Sequence, residues 1–175
     1  MSFSAERKPH AVFTSFPLQC YINPLFKLAK LLHLRGFHIT FVLTEHNHKL
    51  LLKSRGLNDL DGLEDFCFES IADGVPPNND DNLDATHHVV SLCESIREKL
   101  LPPFLELLAR LNHSATAGLV PPVTCLVSDC AITFTIEAAE ELSLPFLLFH
   151  PASARTLLCG LRFRTLVDKG LIPLK

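Results

Sequence analysis

Residues 9–45 read PHAVFTSFPLQCYINPLFKLAKLLHLRGFHITFVLTE, and this stretch decides the architecture. Residues 11–16 (AVFTSF) are a short apolar run rich in β-formers, the pattern of a buried strand. Asn23 and Pro24 then open a helix, because Asn is a favoured N-cap and Pro suits the first helical position. Leu25, Leu28, Ala29, Leu31 and Leu32 supply its apolar stripe. Gly36 ends it, with His33 and Arg35 in the last turn, where the helix dipole favours positive charge. Residues 38–43 (HITFVL) make a second strand. Strand, helix, strand is one βαβ unit. Its first loop, residues 17–24 (PLQCYINP), lies at the carboxyl end of a strand, where open α/β sheets bind ligands. The loop contains no glycine, so a phosphate-cradling Gly-rich turn is excluded there.

The same alternation continues. Thr44 caps a second helix that runs to Arg55 and stops at Gly56. Residues 66–71 (FCFESI) are a third strand. Residues 72–86 (ADGVPPNNDDNLDAT) are rich in Pro, Asn and Asp and read as a long loop. Loops of that length are uncommon in compact domains and tend to carry function. A helix over about residues 89–111 follows, bent at Pro102 and Pro103. Residues 112–122 are a polar, proline-rich connection. Residues 123–127 (VTCLV) form a fourth strand, with Ser128 and Asp129 just beyond it. Residues 134–142 are helical, 145–149 a fifth strand and 153–169 a last helix. Strands alternating with helices predict an α/β fold: a Rossmann-like parallel sheet with helices on both faces, in one domain over residues 1–175.

Composition narrows the function classes. The 175 residues carry a net charge of −3, so nothing favours nucleic acid or an anionic membrane. No apolar run approaches the ~18 residues of a membrane span. Residues 1–10 are polar and do not form a signal peptide. The six cysteines, Cys20, Cys67, Cys93, Cys125, Cys130 and Cys159, contain no CxxC pair. Cys67, Cys125 and Cys159 lie in apolar patterns, where Cys behaves as a small hydrophobe. A reduced, cytoplasmic chain is expected. His46 and His48, and the pair His87 and His88, have no Cys or carboxylate cluster at zinc spacing. They read as solvated surface groups, with no metal.

Three segments carry a family resemblance: residues 8–56, residues 121–145 (PPVTCLVSDCAITFTIEAAEELSLP) and residues 168–175 (DKGLIPLK). They resemble plant UDP-dependent glycosyltransferases of small molecules. The nearest subgroup glucosylates terpenoid, cyanohydrin, cytokinin and flavonoid-type acceptors. The resemblance implies the N-terminal half of a GT-B fold, in which two Rossmann-like domains face each other across a cleft. In such enzymes the N-terminal half binds a small lipophilic acceptor with a hydroxyl group. The C-terminal half binds the UDP-sugar through a Trp- and His-containing segment. This chain has no Trp and stops at Lys175, so more protein is expected to follow. The UDP-sugar is then a co-substrate that needs the absent half, and no cofactor is implied.

An acceptor hydroxyl must lose its proton as it attacks the sugar, and a positioned base contributes ~10²–10⁴ in rate. The family places a His within a Gln-Gly-His-Ile-Asn-Pro pattern. Here that pattern reads Gln19-Cys20-Tyr21-Ile22-Asn23-Pro24. Tyr21 therefore stands at the base position and Cys20 at the glycine. An ordinary phenol is only about one part in a thousand ionised at neutral pH, which makes it a poor base. Asp129 matches the family Asp that orients the catalytic His and stabilises its charged form. By its residue type it also suits a cap on the following helix. Where the family carries a Trp-Thr pair, with the Thr reaching the donor sugar, this chain has His150 and Pro151. Ser153 is then the substitute donor contact, together with Gln19 and Cys20 at the helix start. Phe16, Leu18, Ile132, Phe134 and the segment 72–92 are the acceptor-lining candidates. The expected function is the acceptor-binding part of a sugar transferase, inactive alone. The alternative is a truncated, non-catalytic relative that only binds lipophilic molecules. A flavodoxin-like domain is disfavoured, since residues 16–19 (FPLQ) offer neither hydroxyls nor acidic groups.

Overall fold

The computed structural model describes residues 8–55, 63, 65–72 and 89–172. Five strands, β1 (His10–Thr14), β2 (His38–Thr44), β3 (Phe66–Ile71), β4 (Val123–Asp129) and β5 (Phe146–Phe149), form one sheet. Their order is β3-β2-β1-β4-β5, and every neighbouring pair is parallel. The helices are α1 (Gln19–His33), α2 (Glu45–Arg55), α3 (Val89–Lys99), α4 (Leu101–Thr116), α5 (Phe134–Glu141) and α6 (Ala154–Asp168).

Successive strand residues point to opposite faces, so one sheet carries two cores. Ala11 and Phe13 of β1, with Ile39, Phe41 and Leu43 of β2, pack against Ile22, Leu25, Phe26 and Ala29 of α1. Val12 and Val42 face the other way, onto Ile96 of α3, Phe104, Leu107 and Leu108 of α4, and Phe134 of α5. This is the Rossmann-like sandwich that the strand and helix alternation predicts.

The first helix differs from its expected start. It begins at Gln19, so Asn23 and Pro24 lie inside it rather than at its cap and first position. Leu18 takes the extended backbone of an N-cap (φ −118°, ψ 142°). The N–H groups of Tyr21 and Ile22 donate to the Leu18 carbonyl at 2.9 and 3.0 Å, which closes the first turn five residues early. The buried stripe rotates with it to Ile22, Leu25, Phe26 and Ala29, and Leu31 is left exposed.

The long helix expected over residues 89–111 is two helices rather than one bent one. α3 ends at Lys99 and α4 starts at Leu101. Pro102 and Pro103 lack the N–H groups that two successive helical bonds would need, whereas a helix start tolerates them. α4 then runs on to Thr116, beyond the expected Leu111, into the segment read as a connection. α3 begins at Val89, where the helix was expected, while 73–88 and Gly56 lie outside the described residues.

At the amino end of the sheet, His10 is fully buried. Its Nδ1–H donates to the Pro121 carbonyl and its Nε2 accepts from the Thr40 hydroxyl, both at 2.8 Å. A carbonyl can only accept, so this ring is the neutral Nδ1–H tautomer. The His38 ring meets it edge-on at 4.4 Å, and Asp65, itself paired with Lys8, lies 3.7 Å from His38. At the far edge, α6 buries none of its described side chains and β5 is largely exposed.

Candidate active site

The chain runs from β1 to β2 and β3 on one side, and β4 and β5 fill the other. The switch point therefore lies between β1 and β4, where Thr14 sits level with Ser128. Crevices beyond the carboxyl ends of such strands are where open α/β sheets bind ligands. Two elements deliver the predicted pair there. α1 starts immediately after β1 and places Tyr21 in its first turn, and β4 ends on Asp129.

Tyr21 is half-buried, its ring centroid 5.3 Å from that of Phe16. Burial pushes its phenol up, and the charge of Asp129 adds to this, followed by the thiols of Cys20, Cys130 and Cys93. The shift moves an already weak base further from usefulness at neutral pH. Asp129 is completely buried. Its Oδ1 accepts the Ala131 N–H at 2.7 Å, while its Oδ2 is enclosed without a hydrogen-bond partner. Burial pushes its carboxyl pKa up, opposed by the Ala131 bond and by His150. Asp129 does not cap α5 as its residue type suggested. The cap of that helix is Thr133, and Asp129 holds the turn before it.

The other expected site residues fall in different environments. Phe16, Ile132 and Phe134 are buried in the core shared with α4, and Leu18 packs against that core half-buried. Phe134 meets Phe104 edge to face at 5.4 Å. These side chains are core packing in the structure. Gln19 and Cys20 are exposed in the first turn of α1, which has neither a side-chain cap nor an acidic residue. Ser153 is exposed, but its oxygen caps α6 by accepting the Thr156 N–H at 3.2 Å.

Sequence reasoning missed one contact. Cys130 Sγ and His150 Nδ1 are 3.0 Å apart, and His150 Nε2 is enclosed without a partner. β5 pairs with β4 so that Phe149 lies level with Asp129, which brings the residues just beyond both strands together. That register is the only signal for the pair, and linear spacing does not contain it.

A cavity of ≈ 50 Å³ opens between α1, β2 and α2, lined by Gln19, Asn23, Asn47, Phe26, Phe41 and Phe68 among others. It has room for a water or two, against roughly 300 Å³ or more for a metabolite site. Among the described residues, no three His, Cys, Asp or Glu side chains converge as metal ligands. His46 is exposed and His48 half-buried, while His87 and His88 lie outside the described residues. All six cysteines are free thiols, and Cys159 is exposed on α6 rather than packed as a small hydrophobe. No described helix is long and apolar enough to cross a membrane.

No family model matches the chain. Individual proteins do. It is 53% identical over 170 residues to 7-deoxyloganetin glucosyltransferase of Catharanthus roseus, covering 97% of this chain and 34% of that protein. It is 51% identical to UDP-glycosyltransferase 85A5 of Arabidopsis thaliana over 98% of the chain and 35% of the relative. In structure it is similar to Arabidopsis thaliana UGT89C1 complexed with quercetin, with TM-score 0.69 and 19% identity. That match covers 86% of this chain and 37% of the other, and at such identity it speaks to the fold alone. The chain thus spans about a third of the length of the curated relatives it matches. The chain is similar to the N-terminal third of plant UDP-glycosyltransferases and shares the fold of the N-terminal half of their GT-B structures.

Proposed function

We propose that this chain is the acceptor-binding part of a UDP-glycosyltransferase that moves glucose from UDP-glucose to a hydroxyl of a small lipophilic plant metabolite. One observation carries the reading. Residue 21 and the buried carboxylate of Asp129 lie within electrostatic reach of each other at the carboxyl ends of β1 and β4, in a chain 53% identical to a glucosyltransferase. The open first turn of α1 faces the same crevice, and its backbone N–H groups and dipole suit the donor diphosphate. Transfer itself requires a donor-binding half, so the 175 residues bind acceptor without turnover. Free thiols support a cytoplasmic setting.

A second reading has its own support. The raised phenol of Tyr21 and the absence of a hydroxyl at Pro151 favour a relative that binds lipophilic molecules without transferring sugar. One pair of measurements separates the two. Tyr21 is the single tyrosine and there is no tryptophan, so tyrosine fluorescence reports the crevice directly. Titration with hydroxylated iridoids, flavonoids and cyanohydrins is expected to change that signal. The polypeptide that contains this region is expected to bind UDP-glucose and glucosylate the same compounds. Acceptor binding without UDP-glucose binding would leave the non-catalytic reading, and neither would end both.

A further inference from the structure

Two enclosed polar atoms at the switch point lack partners, Asp129 Oδ2 and His150 Nε2. The first can only accept a hydrogen bond when ionised. The second donates whenever the other ring nitrogen accepts. That other nitrogen, Nδ1, lies 3.0 Å from Cys130 Sγ. Burial and the charge of Asp129 push the Cys130 thiol up, and a thiol that keeps its hydrogen can donate it to Nδ1. The ring hydrogen then resides on Nε2, complementary to the orphaned carboxylate oxygen. The nitrogen lone pair points to the Cys130 side, and both Cys130 and Asp129 lie within electrostatic reach of Tyr21. Tyr21 on α1 feels the charges of Asp129 and Cys130 at the end of β4, of Cys20 on α1 and of Cys93 on α3.

We propose that His150 is the proton acceptor for the transfer reaction, oriented by Asp129, with the Cys130 thiol occupying the place on Nδ1 that the acceptor hydroxyl takes. The proposal rests on the transferase reading above. It supplies the imidazole that position 21 lacks, from the neighbouring strand, and imidazole is the side chain best matched to proton transfer near neutral pH. In the step, the acceptor oxygen bonds to the anomeric carbon while the bond from that carbon to the diphosphate oxygen breaks. UDP leaves with the electron pair. The hydroxyl proton passes to Nδ1, and Asp129 stabilises the imidazolium directly or through one water. The proton later returns to solvent.

The first test is the ring tautomer of His150 in the ¹⁵N-labelled 175-residue chain at neutral pH. The expected result is a protonated Nε2 and a bare Nδ1, and a hydrogen on Nδ1 overturns the arrangement. The second test measures glucose transfer by the polypeptide that contains this region. His150→Gln is expected to lower kcat about 100-fold with little change in KM. In a Tyr21→His background, which restores a base at position 21, the same substitution is expected to cost less than about tenfold. An equal loss in both backgrounds makes His150 structural and overturns the proposal. A protein that transfers no glucose sinks the transferase reading and the base role with it. The tautomer result then tells that failure from a wrong placement of the three side chains.

Discussion

Tyr21 is the single tyrosine of a chain without tryptophan, so its phenol titrates alone in the ultraviolet. Its midpoint is expected above the ordinary phenol value, because burial and then Asp129 oppose the phenolate. Asp129→Asn is expected to bring the midpoint part of the way back, since the larger cause, burial, stays. An unchanged midpoint in that variant would separate the two residues. His10 gives a second residue-scale prediction. Burial holds its ring down to about 4, from an ordinary value of 6.5. Above pH 6.5 both folded and unfolded chains keep it neutral, and its contribution to stability is fully present. As pH falls, the unfolded chain takes up the proton first, so stability drops until the folded ring titrates near pH 4. The loss has a ceiling of about 3 kcal/mol. His38 is also lowered, chiefly by burial, and acts in the same direction. Urea midpoints across this range check the slope, and His10→Gln is expected to flatten it.

At the scale of elements, local preference and chain context compete at α1. Asn-Pro is a good helix start in isolation, yet the turn closed on the Leu18 carbonyl overrides it and leaves Pro24 inside the helix. A proline there removes one helical bond. Pro24→Ala is therefore expected to stabilise the chain by about 1–3 kcal/mol and raise Tm, read by thermal unfolding. A lower Tm would mean that the ring's packing outweighs the missing bond. The early start is also what places Tyr21, rather than Asn23, in the first turn at the crevice. The break between α3 and α4 shows the opposite balance, since two adjacent prolines leave the chain no helical alternative.

At the scale of the whole molecule, the far edge is unlike the rest. Phe146, Leu147 and Leu148 of β5 and Leu157, Leu158, Leu161 and Phe163 of α6 are exposed, Leu161 by 72%. Large apolar side chains left exposed in this number drive association in water. Sedimentation of the 175-residue chain is expected to show concentration-dependent self-association, and Leu161→Arg is expected to weaken it. Because α6 buries no described side chain, that substitution leaves the core intact. A clean monomer at high concentration would contradict the prediction.

The sequence by itself determined the fold class, the alternation of elements and the two loops that meet at the switch point. Those rest on short-range patterns: short apolar, β-rich runs such as residues 11–16 and 38–43, and capping by Thr44. It also marked Tyr21 and Asp129, through residue type and position in a family pattern. Only the tertiary structure decided that Phe16, Ile132 and Phe134 are buried in the core, that Ser153 spends its oxygen on a cap, and that Asp129 carries an unpartnered oxygen. It alone brought His150 to Cys130. The physical reason is register: parallel strands joined by long crossovers align residues far apart in the chain, and the alignment follows from packing between elements rather than from preferences within any one of them.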